Sequence, residues 1–237
     1  MLTEFIAAQQ LKQRYAVFGN FYDRNINAET HIRGRNILEI MAHDICPLLA
    51  KDIDAMLPDA VMIMMNPGSS EPLEDISFQK TLSKNATIEH NLVSTKPDTT
   101  QYQVMRVMHY LKWQHVRVIN LSDLREAKSP LFIKKYLLLE KEFNFDLHSI
   151  FAIKRADELK IALKRKENAP IINGWGVSEK LDALIKRAEK PLKAEGKMFG
   201  IIKPDLKPIK YFHPLPTLQK DKNLWVENIV KQLNLGL

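Results

Sequence analysis

The sequence predicts an α/β fold, a three-layer α/β/α sandwich with a mainly parallel, four-stranded central sheet and an additional N-terminal extension. Three observations support this prediction. Short apolar runs alternate with segments of helical periodicity along the chain. Several of these runs are continuously apolar, which is typical of strands buried on both faces of a sheet. The chain has 237 residues, enough to bury a proper core as one large domain or two small ones.

The first part of the chain is predicted to be an extension packed on the core. We place it at residues 1–58, followed by one α/β unit at residues 59–237. Within the extension, residues 15–22 and 36–42 have the composition of short strands. Residues 46–57 carry apolar side chains at helical spacing, which predicts a helix.

The α/β unit is predicted to contain four buried strands, at residues 60–65, 115–120, 170–173 and 198–202. A helix with Thr99 or Thr100 as its N-cap is expected, and further helices are expected at residues 130–142, 153–166, 178–195 and 221–234. Pro130 suits the first turn of a helix, and Ser178 suits an N-cap. The polar stretch at residues 66–98 predicts a long loop, and loops of that length inside a compact domain tend to be functional.

Polar and conformationally special residues follow the predicted strand ends. Asn66-Pro67-Gly68 follows the first strand, Asn120 ends the second, Gly174-Trp175-Gly176 follows the third, and His213-Pro214 lies beyond the fourth. In open α/β sheets, ligands bind outside the carboxyl ends of the strands. We therefore expect two asparagines, a histidine and several hydroxyl groups to meet at one edge of the sheet.

The positive charge is concentrated in one part of the chain. Residues 130–210 contain 18 Lys and Arg against 11 Asp and Glu, a surplus of seven that equals the net charge of +7. A local basic excess is typical of a protein that meets a polyanion, and DNA is the partner that we predict for this surface. Lysine-rich helices that are simply well solvated would give the same composition.

Several classes of site are excluded by the motifs that the sequence lacks. It contains no G-x-G-x-x-G, no P-loop motif and no G-x-S-x-G nucleophile elbow. The histidines are scattered, and the single cysteine, Cys46, forms neither a disulfide within the chain nor a cysteine zinc cluster. We predict no cofactor and no metal. The apolar runs are too short to cross a membrane and no secretion signal is visible, so a cytoplasmic monomer is expected.

The order of these segments resembles the uracil-DNA glycosylase superfamily. VMIMMNPGSS is similar to the G-x-N-P-G motif of the mismatch and thymine glycosylases at Asn66, Pro67 and Gly68, although Met64 replaces the first glycine. VRVIN ends in Asn120, as the family's second strand often does, and IINGWG carries the Trp-Gly of the family's third motif. His213-Pro214-Leu215-Pro216 is similar to the last motif, H-P-S-P, with leucine in place of serine and extra residues before the histidine.

The same segments also resemble an uncharacterised bacterial and phage domain family that has the motifs M-N-P-(S/G), V-N-L and a late H-P-L. Together the resemblance covers about residues 60–217. It implies a uracil-DNA-glycosylase-like fold and a hydrolase that excises a damaged or modified base flipped out of DNA. Asn66 would hold the attacking water, because an amide orients water without taking its proton. His213 would donate a hydrogen bond to the leaving base.

The resemblance also implies a base pocket and a DNA-contacting rim. Asn120 would hydrogen-bond the base, Phe78 or Tyr102 would stack on it, and Gly68 would leave room for a 5-substituted pyrimidine. The predicted DNA contacts are Ser69, Pro214, Leu215 and Thr217. A carboxylate could assist Asn66, and Glu71, Asp75 and Asp123 are the candidates that the sequence offers.

Two other functions stay open at this point. The same edge would serve an N-glycosidase for free nucleosides or nucleotides, or a nucleic-acid-binding module without catalysis. Asn66-Pro67-Gly68 has the composition of an ordinary turn, and a lone histidine is often structural. A role in DNA repair and a role in defence against modified phage DNA give the same sequence pattern.

Overall fold

The computed structural model describes residues 5–75 and 81–236. The described strands are β1 Tyr15–Asn25, β2 His31–Ala42, β3 Ala60–Met64, β4 Glu71–Pro72, β5 Leu92–Lys96, β6 His115–Asn120, β7 Ile171–Gly174, β8 Met198–Phe199, β9 Ile202–Lys203 and β10 Lys210–Tyr211. The α-helices are α1 Ala8–Lys12, α2 Thr99–Leu111, α3 Ser129–Glu142, α4 Ala156–Ala162, α5 Asp182–Lys193 and α6 Gln219–Gly236.

The central sheet of the described chain is mixed and has eight strands in the order β4-β5-β1-β2-β6-β3-β7-β8. The strands β6, β3, β7 and β8 are parallel neighbours, and the remaining pairs are antiparallel. The prediction of a four-stranded, mainly parallel sheet is therefore wrong. The four strands predicted for the α/β unit form one half of the sheet, and antiparallel strands extend it beyond β6.

Part of the predicted N-terminal extension belongs to this sheet. Strands β1 and β2 form a long antiparallel hairpin, and β2 pairs with β6 at Leu38 and Val118. The predicted helix at residues 46–57 is wrong, because short 3-10 turns at His43–Ile45 and Ala50–Ala55 take its place. Pro47 keeps Cys46 out of the helical conformation, and Leu49 is also extended, at φ −114° and ψ 128°, so a continuous helix is broken at both positions.

Helices cover both faces of the sheet. Alternate residues of β3 point to opposite sides: Val61 and Ile63 join the core under α3, α4 and α5, whereas Met62 and Met64 join the core under α2 and α6. The α/β class and the helical layers on both faces therefore agree with the sequence-based expectation. The basic helix predicted at residues 153–166 is shorter, with a 3-10 turn at Ile153–Arg155 followed by α4.

The last predicted strand is interrupted at Gly200. This glycine has φ +144°, and a Cβ there would lie 2.4 Å from Cδ1 of Tyr211 and 2.5 Å from the carbonyl oxygen of Asn173. The chain leaves the sheet after β8 at this point and forms a separate hairpin of β9 and β10. The hairpin contains the residues that the sequence places between the fourth strand and His213, and it brings the chain back to the sheet edge.

Candidate functional site

A cleft of about 530 Å³ lies at the carboxyl ends of β3, β6 and β7. Its lining includes residues from every strand-end segment singled out in the sequence: Asn66, Pro67, Gly68, Asn120, Trp175, Gly176, His213 and Leu215. The edge of a parallel sheet collects these residues because the strands end at the same level. The two halves of the predicted site, around Asn66 and around His213, therefore meet in one cleft.

Asn66 is held with its amide oxygen available. Its side-chain Nδ2 donates to the carbonyl oxygen of Leu124 at 3.1 Å and to that of Glu126 at 2.7 Å. Both amide hydrogens are used, so Oδ1 is the remaining polar atom of the side chain. An amide oxygen accepts a hydrogen bond from water but does not remove its proton at neutral pH. The geometry fits a residue that orients water.

His213 presents a neutral imidazole to the cleft. Its Nδ1 accepts a hydrogen bond from the backbone N–H of Leu215 at 3.1 Å, so the ring proton resides on Nε2. Burial lowers the pKa of His213 from 6.5 to about 4. The ring is therefore uncharged at neutral pH, and its Nε2–H is a hydrogen-bond donor without a described protein partner.

The segment around His213 is fixed by hydrogen bonds to four other parts of the chain. The backbone N–H of Phe212 donates to Ile201, and the carbonyl oxygens of the segment accept bonds from the following donors: Gly176 N to Tyr211 at 2.9 Å, Trp225 Nε1 to Phe212 at 3.0 Å, and Gln103 Nε2 to Pro214 at 3.0 Å. The extra residues before the histidine thus do not remove it from the site.

Gly174 allows Pro214 to approach the end of β7. A Cβ at position 174 would lie 3.0 Å from Cδ of Pro214 and 3.3 Å from Sδ of Met64. We predict that Gly174→Ala lowers the free energy of unfolding by about 1–3 kcal/mol, because the added methyl overpacks this contact. Urea denaturation measures the change. An unaltered denaturation midpoint would show that the Pro214 segment gives way freely and is not fixed as described.

The floor of the cleft contains buried polar atoms without a hydrogen-bond partner among the described residues. They include both amide atoms of Asn120, Nε2 of Gln101 and Nε1 of Trp175. Asn120 and Trp175 are fully buried. A buried unsatisfied polar group costs about 1–3 kcal/mol, so a cluster of them indicates a place where a ligand supplies the missing bonds.

Arg35 also lines the cleft, and the sequence reasoning missed it. It lies in β2, is only 3% exposed, and its Nε and Nη1 have no hydrogen-bond partner among the described residues. Burial lowers the pKa of Arg35 to about 10, although the nearby charges of Asp98 and Asp123 act in the opposite direction and raise it. The guanidinium remains charged at neutral pH, so the floor of the cleft is cationic.

Asp98 is the acidic residue that lines the cleft. It is the N-cap of α2, where Thr99 or Thr100 had been expected, and its Oδ1 accepts from the backbone N–H of Gln101 at 2.9 Å. Its Oδ2 is 3.9 Å from the position that a Cβ on Gly68 would take. Asp98 therefore faces the loop that carries Asn66.

The carboxylates expected from the sequence lie elsewhere. Glu71 and Asp75 line a different groove, together with Phe21, Tyr22 and Arg125. Asp123 is fully buried, where its Oδ2 accepts from Arg155 at 2.6 Å and from the hydroxyl of Tyr22 at 3.0 Å. Asp123 therefore belongs to a structural ion pair in the interior.

The remaining predicted site residues lie in different surroundings. Gly68 has φ +63°, a backbone conformation that favours glycine, and it lines the cleft. Ser69 and Thr217 are exposed and do not line the cleft, whereas Pro214 is buried. Phe78 lies outside the described residues. The cleft therefore contains Leu215 from the predicted DNA-contacting set, and the aromatic residue in its lining is Trp175.

A serine, a histidine and a glutamate are aligned in the interior. His148 Nδ1 is 2.9 Å from the hydroxyl oxygen of Ser122, and His148 Nε2 is 3.1 Å from Glu140. Glu140 also pairs with Arg187 at 2.8 Å. Ser122 and His148 are fully buried and neither lines the cleft, so this chain of hydrogen bonds is part of the core.

A groove rich in Lys and Arg lies at the amino ends of the parallel strands, opposite the cleft. It has a volume of about 660 Å³ and surrounds the segment that precedes β7, including Ala169 and Pro170. Its basic lining residues are Lys160, Lys164, Arg165, Lys166 and Lys197. Because this groove is at the amino ends of the strands, its lysines do not border the cleft. A large part of the local basic excess is therefore separated from the candidate site.

Among residues 5–75 and 81–236, no group of three or more His, Cys, Asp or Glu side chains is arranged to hold a metal ion. In the same residues, no helix combines the length and apolar character that a membrane span requires. Comparison of the chain with models of protein families, with curated proteins and with solved structures gives no match. The chemistry of the cleft is therefore the basis for assigning a function.

Proposed function

We propose that the protein is a monofunctional DNA glycosylase that hydrolyses the N-glycosidic bond of a pyrimidine flipped out of DNA. One observation carries the proposal: Asn66 and His213 line the same cleft as Asn120. Among the described residues, the amide oxygen of Asn66, the Nε2–H of His213 and the amide of Asn120 have no hydrogen-bond partner. An acceptor for water, a donor for the leaving base and a group that reads the base edge are the parts that this reaction needs.

In the proposed reaction, Asn66 positions a water molecule against C1′ of the sugar. The water oxygen forms a bond to C1′ while the bond from C1′ to the base nitrogen breaks, and the electron pair of that bond leaves with the base. Asp98 takes the proton that the water loses. His213 donates a hydrogen bond to a base carbonyl, where negative charge develops. The base leaves as an anion that takes up a proton from solvent, Asp98 returns its proton to solvent, and the products are an abasic sugar and the free base.

Asn120 and Gly68 define the proposed substrate. The amide of Asn120 offers one donor group and one acceptor, which suits the Watson–Crick edge of an extruded pyrimidine. Gly68 carries no side chain into the cleft, and the nearest atom to an added Cβ is 3.9 Å away. A 5-substituted pyrimidine therefore has room, as in oxidised or mispaired thymine-like bases and in modified phage DNA. Repair and defence are both compatible with this substrate.

A second candidate is an N-glycosidase for free nucleosides or nucleotides. The position of the basic groove favours it, because the lysines at the amino-end edge cannot hold the phosphates of a DNA strand whose base occupies the cleft. The salt dependence of binding separates the candidates, since phosphate contacts along DNA make affinity fall steeply with salt.

The direct test is excision from a panel of DNAs that contain uracil, mispaired thymine, or 5-hydroxymethylated or glucosylated cytosine, beside the matching free nucleosides. We expect alkali-labile abasic sites in DNA that carries a substituted pyrimidine, and loss of excision with retained DNA binding in Asn66→Ala. Cleavage of the free nucleosides alone would favour the second candidate. The absence of cleavage in both sets, with binding retained, would leave a non-catalytic binding module.

A further inference from the structure

A second cavity, of about 450 Å³, lies on the opposite face of the sheet from the cleft. Arg117 of β6 lines this cavity, whereas its neighbour Val118 lines the cleft. Because side chains alternate between the two faces along a strand, the sheet itself separates the two spaces. Sites for small molecules have volumes of roughly 300–1,000 Å³, so a compound of low molecular mass fits inside this cavity.

One wall of the cavity is a loop that is tied both to the sheet and to a 3-10 turn. The buried side chain of Asn20 accepts from the backbone N–H of Asn91 at 3.0 Å, and its Nδ2 donates to the carbonyl oxygen of Glu89 at 3.0 Å. His90 pairs with Asp54 of the turn at Ala50–Ala55, at 2.6 Å. The loop is therefore fixed at both sides, and the cavity is a built part of the fold.

The surface of the cavity is mainly apolar. Its apolar side chains come from β2, from the segment after the 3-10 turn, from the loop and from α4, and they are Ile37, Met56, Leu57, Ile88 and Ile161. Leu57 and Ile161 remain 46% and 59% exposed. A ligand that covers these side chains removes apolar surface from water, so the larger part of a suitable ligand is apolar.

The lining also contains a buried acceptor that has no donor. The pairing of β1 with β2 skips Asn36 between Arg35 and Ile37, and β-bulges of this kind re-aim a side chain beside functional sites. Nδ2 of Asn36 donates to Glu158 at 2.8 Å, whereas its buried Oδ1 has no hydrogen-bond partner within residues 5–75 and 81–236. A ligand with one N–H or O–H group would supply the missing donor.

The charged groups on the inner surface of the cavity are neutralised by other parts of the protein. Glu158 accepts from Nε of Arg155 at 2.8 Å, and Arg117 pairs with Glu39 at 2.6 Å. Nη1 of Arg117 also donates to three carbonyl oxygens at the end of α4. An anion placed here would face Glu158 and a cation would face Arg117. The inner end of a suitable ligand is therefore neutral.

We propose that this cavity binds a neutral, mainly apolar small molecule with a single hydrogen-bond donor, of the chemical class that includes indoles and phenols. The donor bonds to Oδ1 of Asn36, and the hydrocarbon part packs against Ile37, Ile88 and Ile161. The inference does not rest on the glycosylase proposal, because the residues that line this cavity are all different from those that line the cleft.

Isothermal titration calorimetry with the intact protein tests the role of the donor. The probes are indole, 1-methylindole (the same rings without the N–H) and indole-3-acetate, which adds a carboxylate. We expect indole to bind at least about 10-fold more tightly than 1-methylindole, because only indole satisfies Oδ1 of Asn36. Equal affinities of the two compounds for the wild-type protein would overturn the inference. Tighter binding of indole-3-acetate than of indole would overturn the neutral class of ligand.

The preference for indole over 1-methylindole is then measured in variants. In Asn36→Leu we expect the preference to fall to less than about 2-fold, because the acceptor is gone. Asn223→Leu changes an exposed asparagine of α6 outside the cavity and should keep the wild-type preference. The preference is a ratio within one variant, so a partial loss of stability does not alter its meaning. A wild-type preference in Asn36→Leu would overturn the assignment of Asn36.

Methyl NMR of the isoleucine-labelled protein locates the bound indole. We expect shifts of the signals of Ile88 and Ile161, assigned through their valine variants, and no shift of Ile133, which lines the cleft. Ile88→Trp fills the cavity from a loop and should lower indole affinity at least about 10-fold, so it tests the site even if Asn36→Leu does not fold. Shifts at Ile133 without shifts at Ile88 would overturn the inference, as would unchanged indole affinity in Ile88→Trp.

Discussion

Replacement of His213 by alanine is expected to slow base excision by about 100- to 1000-fold while the protein remains folded. The neutral Nε2–H is the group that His213 offers to a base carbonyl, and alanine removes it without replacing it. His213→Gln supplies an amide N–H in place of the ring and is expected to recover part of the rate. Single-turnover excision measures both variants.

The pH profile separates a neutral donor from a charged acid. Because burial lowers the pKa of His213 to about 4, its donor form persists across about pH 5–8, and the rate should not rise as pH falls through 6.5.

A lowered pKa in the fold also means that the unfolded chain binds the proton more readily. The corresponding stability is present above pH 6.5 and is lost as pH falls from 6.5 towards about 4.

The matched control for this prediction is His31→Ala. His31 is exposed at the start of β2 and does not line the cleft, so its loss should leave the excision rate unchanged. A rate in His213→Ala that equals that of the control would remove His213 from the mechanism. A rate in the wild-type protein that rises below pH 6.5 would instead indicate an imidazolium acid.

The parallel half of the sheet could be predicted because its information is local. Each of its strands is a short apolar run, and Val61 and Met62 are buried on opposite faces, which is why the run is continuously apolar. The convergence of Asn66 and Asn120 follows from the common direction of parallel strands. The same argument placed His213 near the edge, although Gly200 and the following hairpin that position it could only be seen in the structure.

The extent of the sheet could not be predicted in the same way. Strands β1 and β2 have visible strand composition, but their partners are distant in sequence: Gly19 is paired with Val93, and Glu39 with Arg117. Such pairings depend on which edges remain available once the parallel half is assembled, and no local pattern encodes that choice. The predicted helix at residues 46–57 is wrong for a different reason, because apolar spacing alone does not reveal the extended backbone of Cys46 and Leu49.

Two residues of the cleft were missed because they resemble common surface residues. Arg35 lies among other charged and polar residues of β2, and an arginine there is normally solvated. The register of the hairpin shifts between Asn20 and Phe21, opposite Arg35, and this bulge lies beside the residue that reaches the cleft. Asp98 precedes two threonines that are equally suitable N-caps, so the sequence did not distinguish a cap residue from a cleft residue.

Asp98→Asn is expected to reduce excision by about 100- to 10,000-fold, with a loss of stability limited to the attraction that Asp98 exerts on the buried Arg35. Asparagine is as good an N-cap as aspartate, so the bond from the backbone N–H of Gln101 and the start of α2 are preserved. What asparagine lacks is a basic oxygen that can take the proton of the attacking water. Single-turnover excision and urea denaturation on the same preparation measure the two effects separately.

Two further carboxylate variants make this prediction specific. Glu71→Gln changes a residue of a different groove and should retain the wild-type rate and stability. Asp123→Asn should instead lower stability, because it removes the fully buried carboxylate of the two that pair with Arg155, the other being Glu158. If Asp98→Asn keeps the wild-type rate while Asn66→Ala loses it, water attacks without a carboxylate base and Asp98 acts only as the cap of α2. If Asp98→Asn is slow at nearly unchanged stability while Glu71→Gln keeps the wild-type rate, the proton of the attacking water goes to Asp98. The capping bond that asparagine keeps excludes loss of α2 as the cause, and the rate of Glu71→Gln excludes a general effect of removing a carboxylate.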